Sequence, residues 1–105
     1  MSGKNDSHKS IARTTDMNAR VNSPVEIALK TPGAAGFEWT PIFDTVAIAL
    51  VERRKEVDKR NLGASLKEVF KFRPLTSGHF RIGFALKRPW EDTVVERREF
   101  SLHVK

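Results

Sequence analysis

The groups in this sequence that could do chemistry are few, and their spacing does not assemble a catalytic set. The histidines are His8, His79 and His103. No H-x-H or H-E-x-x-H spacing joins them, which argues against a zinc site, and His79 and His103 fall on the outward positions of two separate strands. Acids gather as Glu91 and Asp92, then as Glu96 and Glu99. Glycoside hydrolysis needs two carboxylates facing each other across a cleft, and neighbouring acids on a charged segment do not provide that. There is no G-x-S-x-G elbow, no P-loop and no G-x-G-x-x-G. The absence of cysteine excludes a thiolate nucleophile, a thiolate metal site and a disulfide scaffold. The expectation is therefore a protein that binds rather than one that catalyses: not an enzyme, with no metal and no cofactor.

A formal net charge of +6 raises nucleic acid, an anionic surface or an acidic protein as partners. "FKFR" and "HFRIGF" interleave aromatic and basic residues, as a base-stacking sheet would. Strand periodicity opposes that use. Phe70 and Phe72 share one face while Lys71 and Arg73 take the other, so the aromatics are assigned to the core and no nucleic acid is expected. The densest charge cluster, Glu52–Arg60 ("ERRKEVDKR"), contains acids as well as bases and is read as a solvated loop. No stretch is long and apolar enough to span a bilayer, so no membrane partner is expected. No secretory signal is visible; the protein is periplasmic or secreted if a leader was removed, and cytoplasmic otherwise.

With 105 residues, 39% hydrophobic and 30% charged, the chain fits one domain. Residues 1–10 are expected to form a disordered tail and 11–105 the domain. Period-two alternation dominates. Val25, Ile27 and Leu29 alternate with Glu26, Ala28 and Lys30. Phe37 and Trp39 oppose Glu38. Val46, Ile48 and Leu50 share a side. Leu66, Phe70 and Phe72 share theirs with Glu68. Phe80, Ile82, Phe84 and Leu86 point in, with His79, Arg81, Gly83 and Ala85 out. Phe100, Leu102 and Val104 close the core, in a last strand read as starting in the charged run "EDTVVERREF". Residues 46–61 contain good helix formers, but β-branched Val46, Ile48 and Val51 favour a strand running into a long loop. Turn signals at "TPGAAG", "NLGAS", "PLTSG" and "KRPWED" separate the strands. The pattern predicts an all-β, two-sheet sandwich of six to seven antiparallel strands.

Three of the turns stand out. "TPGAAGFEW" is bracketed by glycine and leads into a Trp strand, "LGAS" is small, and "RPW" places a large aromatic behind a proline that stiffens it. They follow the second strand, precede the fifth and follow the sixth, and loops so placed can gather at one end of a sandwich.

In this order and spacing the three loops resemble those of the chagasin family of cysteine peptidase inhibitors, marked by N-P-T-T-G-[YF]-x-W, G-x-G-G and R-P-[WF]. Gly36, Phe37 and Trp39 match the end of the first motif, Gly63 the start of the second, and Arg88, Pro89 and Trp90 all of the third. Thr31-Pro32-Gly33-Ala34-Ala35-Gly36 stands in place of Asn-Pro-Thr-Thr-Gly with one residue added, and Ser65 and Leu66 stand where glycines are expected. The resemblance implies an immunoglobulin-like fold that acts as a monomer and inhibits papain-like cysteine peptidases reversibly and competitively. Thr31, Pro32, Gly33, Ala34, Ala35, Gly36 and Phe37 would enter the cleft. Leu62, Gly63, Ala64 and Ser65, with Arg88, Pro89 and Trp90, would grip its walls, and Trp39 would support the first loop from the core. Two other readings remain at this stage: a basic immunoglobulin-like interaction module without inhibitory activity, and a nucleic-acid-binding β-domain.

Overall fold

The structure, a computed structural model, describes residues 13–32, 36–57 and 65–105. The tail expected over residues 1–10 lies outside them, as do Gly33, Ala34, Ala35, Leu62, Gly63 and Ala64. Seven strands are present: β1 (Arg13–Ala19), β2 (Val25–Pro32), β3 (Glu38–Ile42), β4 (Ile48–Val57), β5 (Ser65–Pro74), β6 (Gly78–Lys87) and β7 (Glu96–Val104). They form two sheets, ordered β1-β7-β6-β3 and β2-β5-β4. The fold is the expected all-β, immunoglobulin-like sandwich. All pairings are antiparallel except one: β1, which has little period-two alternation to betray it, adds in parallel to β7.

The inner faces follow the hydrophobic alternation. Ile27, Leu29, Phe70, Phe72 and Ile48 from one sheet meet Trp39, Ile82, Phe84, Leu86, Leu102 and Val104 from the other. The sheets are joined by rings: Phe70 lies 5.0 Å from Phe84, centroid to centroid, and Phe43 stands edge-on to Phe72 at 5.2 Å. Aromatic contacts of this kind add stability beyond the area they bury. Phe70, Phe72 and Phe84 are buried and Phe80 packs against the core, so the rings of the segments considered above serve the core rather than a base-stacking platform. Ala85, assigned outward, is nevertheless buried; it is a small residue on an inner strand, in register between Thr40 and Arg97.

Three assignments change. Val46 is not in a strand and is 84% exposed. The Asp44 carboxylate accepts the Val46 N–H at 2.9 Å and the Asp44 carbonyl accepts those of Ala47 and Ile48, closing a turn that buries Ala47 instead. The charged segment Glu52–Val57 is strand, not loop. A bulge between Leu50 and Glu52 shifts the phase by one residue, so Ile48 and Leu50 face the core before it and Arg53 faces inward after it. Such a charged strand is stable because its outward acids, Glu52 and Glu56, flank Arg54, which bonds both at 2.7 and 2.9 Å. Finally, β7 begins at Glu96, and residues 91–95 belong to the preceding loop, tied down by the Val95 N–H on the Leu86 carbonyl at 2.9 Å.

One polar group sits in the apolar face. Glu68 is 1% exposed and lies between Leu66 and Phe70 on the inner side of β5. Its Oε2 accepts the Thr31 hydroxyl at 3.1 Å and the Trp39 backbone N–H at 2.9 Å, while Arg53 Nη2 approaches its Oε1 at 3.4 Å. Arg53 also donates to the Trp39 carbonyl at 2.8 Å and spreads over the Phe70 ring. Thr31 is next to last in β2 and Trp39 is second in β3, so one carboxylate ties the two sheets at the point where the chain crosses between them. Removing it leaves a buried N–H and hydroxyl without partners, whereas half-exposed Arg53 can turn to water. Glu68→Ala is expected to cost about 2–3 kcal/mol, lowering the melting temperature by roughly 10 °C or more. Glu68→Gln, which keeps an acceptor, should lose less. Equal melting temperatures for wild type and Glu68→Ala would show that the carboxylate does not hold the sheets.

Candidate functional site

Strand register places the three motif-bearing connections at the same end of the sandwich. Pro32, closing β2, pairs with Ser65, opening β5; Val57, closing β4, pairs with Leu66; Glu38, opening β3, pairs with Lys87, closing β6; and Glu96, opening β7, pairs with Leu86. The first loop crosses from one sheet to the other. The second joins two strands of one sheet, and the third joins two strands of the other. The other three connections turn at the opposite end.

The first loop has braced stems. Besides its tie to Glu68, Trp39 is 1% exposed and donates its indole N–H to the Lys30 carbonyl at 2.9 Å, across the mouth of the loop. Trp39 therefore ties the end of β2 to the start of β3 at the base of the loop. Thr31 is buried and turned to Glu68, so its hydroxyl serves the scaffold rather than a partner. Gly36 re-emerges with φ of 76°, a conformation that favours glycine. Phe37 packs against the core from its edge.

The third loop is a tight turn. The Glu91 N–H bonds the Arg88 carbonyl at 3.0 Å, with Pro89 at the position where its fixed φ is favourable. The Arg88 guanidinium pairs with the Glu91 carboxylate at 3.2 Å, and Lys87 Nζ donates to the Glu91 carbonyl at 3.0 Å. Glu91 is thereby occupied within the loop, like Glu96 with Arg98 and Glu99 with Arg81, and none of these acids faces another across a cleft.

Loops one and three touch. The Arg88 guanidinium lies over the Phe37 ring at 4.5 Å, a cation–π contact. The Trp90 ring crosses Gly36 so closely that a Cβ there would meet the ring's Cη2 at 2.6 Å. Trp90 is still 70% exposed. The edge thus presents a large rigid aromatic whose orientation is fixed by a neighbouring loop. Of the second loop, Ser65 is the one described residue, and its backbone opens β5 beside Pro32.

His79 and His103 lie on neighbouring strands with rings 4.5 Å apart, and His103 approaches Asp16 at 3.6 Å, away from this edge. Among the described residues no group of three metal-ligating side chains gathers. The contribution that motif reading overlooked is that of Glu68 and Arg53. Its signal was an acid placed in register with Leu66, Phe70 and Phe72, where only a paired carboxylate is tolerated.

Known proteins share this fold. No curated protein matches the chain. Among solved structures it is similar to the cysteine protease inhibitor EhICP2 from Entamoeba histolytica, at 20% identity over 92% of this chain and 90% of that one, with a TM-score of 0.75. It is also similar to Amebosin, at 17% identity over 91% and 100% of the two chains and a TM-score of 0.60. PbICP-C, solved in complex with falcipain-2, shares 13% identity over 90% of each chain with a TM-score of 0.58. The family model for chagasin family peptidase inhibitors, I42, matches residues 18–104. With that match spanning nearly the whole sandwich, the chain belongs to the chagasin family of peptidase inhibitors, proteins that block peptidases and are not themselves enzymes.

Proposed function

We propose that this inhibitor of cysteine peptidases blocks papain-like enzymes reversibly and competitively by laying its three-loop edge across the active-site cleft. Pro32 to Gly36 enter the cleft on stems set by buried Thr31 and core-packed Phe37, Arg88, Pro89 and Trp90 contact one wall, and Leu62, Gly63, Ala64 and Ser65 contact the other. The observation that carries this reading is the seating of Trp90 on Gly36: a mostly exposed tryptophan held in one orientation before any partner arrives. A preorganised aromatic loses little entropy on binding and is the commonest kind of hot spot. The PbICP-C complex with falcipain-2 supports a peptidase as the partner. An inhibitor edge of this type buries about 1,600 Å² in total. Inhibition of this kind requires shape and stiffness and no reactive group, in keeping with the chemistry of the sequence.

Titration of papain and cathepsin L with the purified chain, read with a fluorogenic peptide substrate, should raise the apparent KM without changing kcat. No inhibition of either enzyme at about 10 µM, well above the affinities of specific inhibitors, would leave a scaffold without this activity.

Trp90→Ala is expected to weaken inhibition by about 30-fold or more, the effect of losing a hot spot worth ~2 kcal/mol, with the melting temperature nearly unchanged because the side chain is mostly exposed. Gly36→Ala should weaken inhibition as well, by driving the ring off its seat. In a double-mutant cycle the cost of Gly36→Ala should shrink once Trp90 is alanine. Additive effects would show that the two loops do not act through this contact.

Ala34 and Ala35 occupy the positions of the family's two threonines. Replacing both by Thr is expected to lower the inhibition constant through added hydroxyl contacts in the cleft. A higher constant would show that the small side chains suit the target.

A further inference from the structure

On the outer face of the β2-β5-β4 sheet two successive rungs match their charges, and the last rung before the loops does not. In the first, Glu26, Lys71 and Glu52 lie side by side, and Lys71 reaches both acids at 3.8 and 3.3 Å. Arg54, in the next, bonds Glu26, Glu52 and Glu56. Its hydrogen bond, followed by that of Lys71, holds the Glu52 carboxyl below the usual carboxylate range. The rung nearest the loops breaks the pattern: Lys30 stands directly opposite Lys67. Glu56, the one acid in that rung, turns its carboxylate to Arg54 at 2.9 Å. Neither lysine makes an ion pair among the described residues. Like charges in register on one sheet face oppose folding. Their position gives the reason for tolerating this. Lys30 immediately precedes Thr31 at the first loop, and Lys67 follows the start of β5 at the second.

We propose that Lys30 and Lys67 form a cationic shelf beneath loops one and two that pairs with carboxylates on the rim of the target peptidase's cleft. This rests on the inhibitor reading above and adds to it the charge of the partner. Among the described residues none pairs with either ammonium group, and Glu56 is held by Arg54, so an acidic rim gains both without breaking an ion pair there. Charges at the rim of an interface act mainly on the rate of encounter and are screened by salt.

The test is stopped-flow association of the full chain with papain and with cathepsin L, at low and high NaCl. Three chains are compared: wild type, Lys30→Glu/Lys67→Glu, and a control, Arg20→Glu/Arg73→Glu, which makes an equal change in net charge at the opposite end. The shelf variant should associate about tenfold more slowly than wild type with the enzyme that wild type inhibits better, at low salt, and high salt should close most of the gap. The control should lose far less. Equal slowing in both variants would mean that net charge acts rather than the shelf, and no slowing would mean that the partner's rim is not acidic; either overturns the proposal. Failure of wild type to inhibit either enzyme overturns the inhibitor reading itself and is seen before any variant is compared. Lys30→Glu alone places an acid opposite Lys67 and should raise the melting temperature at low salt while slowing association. A lower melting temperature would show that the lysines do not repel, and the premise would fall.

Discussion

The carboxylate of Glu68 is the group on which the working end of this molecule depends. It lies on the inner face of β5, in a position that would otherwise hold an apolar side chain, and it gathers Thr31, Trp39 and Arg53. Those residues come from β2, β3 and β4, so the contact fixes the spacing of the two sheets where the first loop crosses between them. A hydrophobic residue could fill the same space without fixing that spacing, because dispersion contacts have no direction. Hydrogen bonds to a carboxylate do, and the low dielectric around it strengthens them. Arg53 completes the arrangement from the sheet edge, half in solvent, where its charge is cheaper to keep than that of a fully buried partner.

Stiffness passes outward from there. Trp39 closes the mouth of the first loop by reaching back to Lys30. Gly36 leaves that loop in a left-handed conformation and offers a bare backbone, against which Trp90 lies. The third loop is independently held by its own turn bond, by the Arg88–Glu91 pair and by Lys87. A loop that crosses between the sheets and a loop within one of them thus share one surface, and neither can reorient its main side chain without disturbing the other.

Much of this was legible in the sequence, in a pattern that follows the physics. β2, β3, β5, β6 and most of β7 declared themselves because each buries one face, and alternation records that directly. The three loops were legible because proline, glycine and tryptophan carry strong local preferences. β4 was misread beyond Leu50 because a bulge changes the phase of alternation without leaving a residue signature, and because its charged stretch is stabilised by Lys71 on the neighbouring strand, which local composition does not report. Val46 was misplaced because the Asp44 turn competes with strand formation. β1 escaped because an edge strand with few apolar residues has no periodic signal. Of the site, Gly36, Phe37, Trp39 and Arg88 to Trp90 were named from motifs. The brace beneath them was visible only as an acid in an apolar register, and its partners, 37 residues away in the case of Thr31 and 29 in that of Trp39, come together only in three dimensions.

The parallel pairing of β1 with β7 has a practical consequence. Because β1 runs in the same direction as β7, its first residue, Arg13, lies beside Arg98 near the loop end, while Lys105 sits at the opposite end against Ala19. The two termini of the sandwich are therefore not equivalent as handles. A tether, label or fused domain attached after Lys105 hangs from the face away from the loops and leaves them open to a large partner. One joined directly before Arg13 would start at the rim of the same edge and crowd whatever docks there.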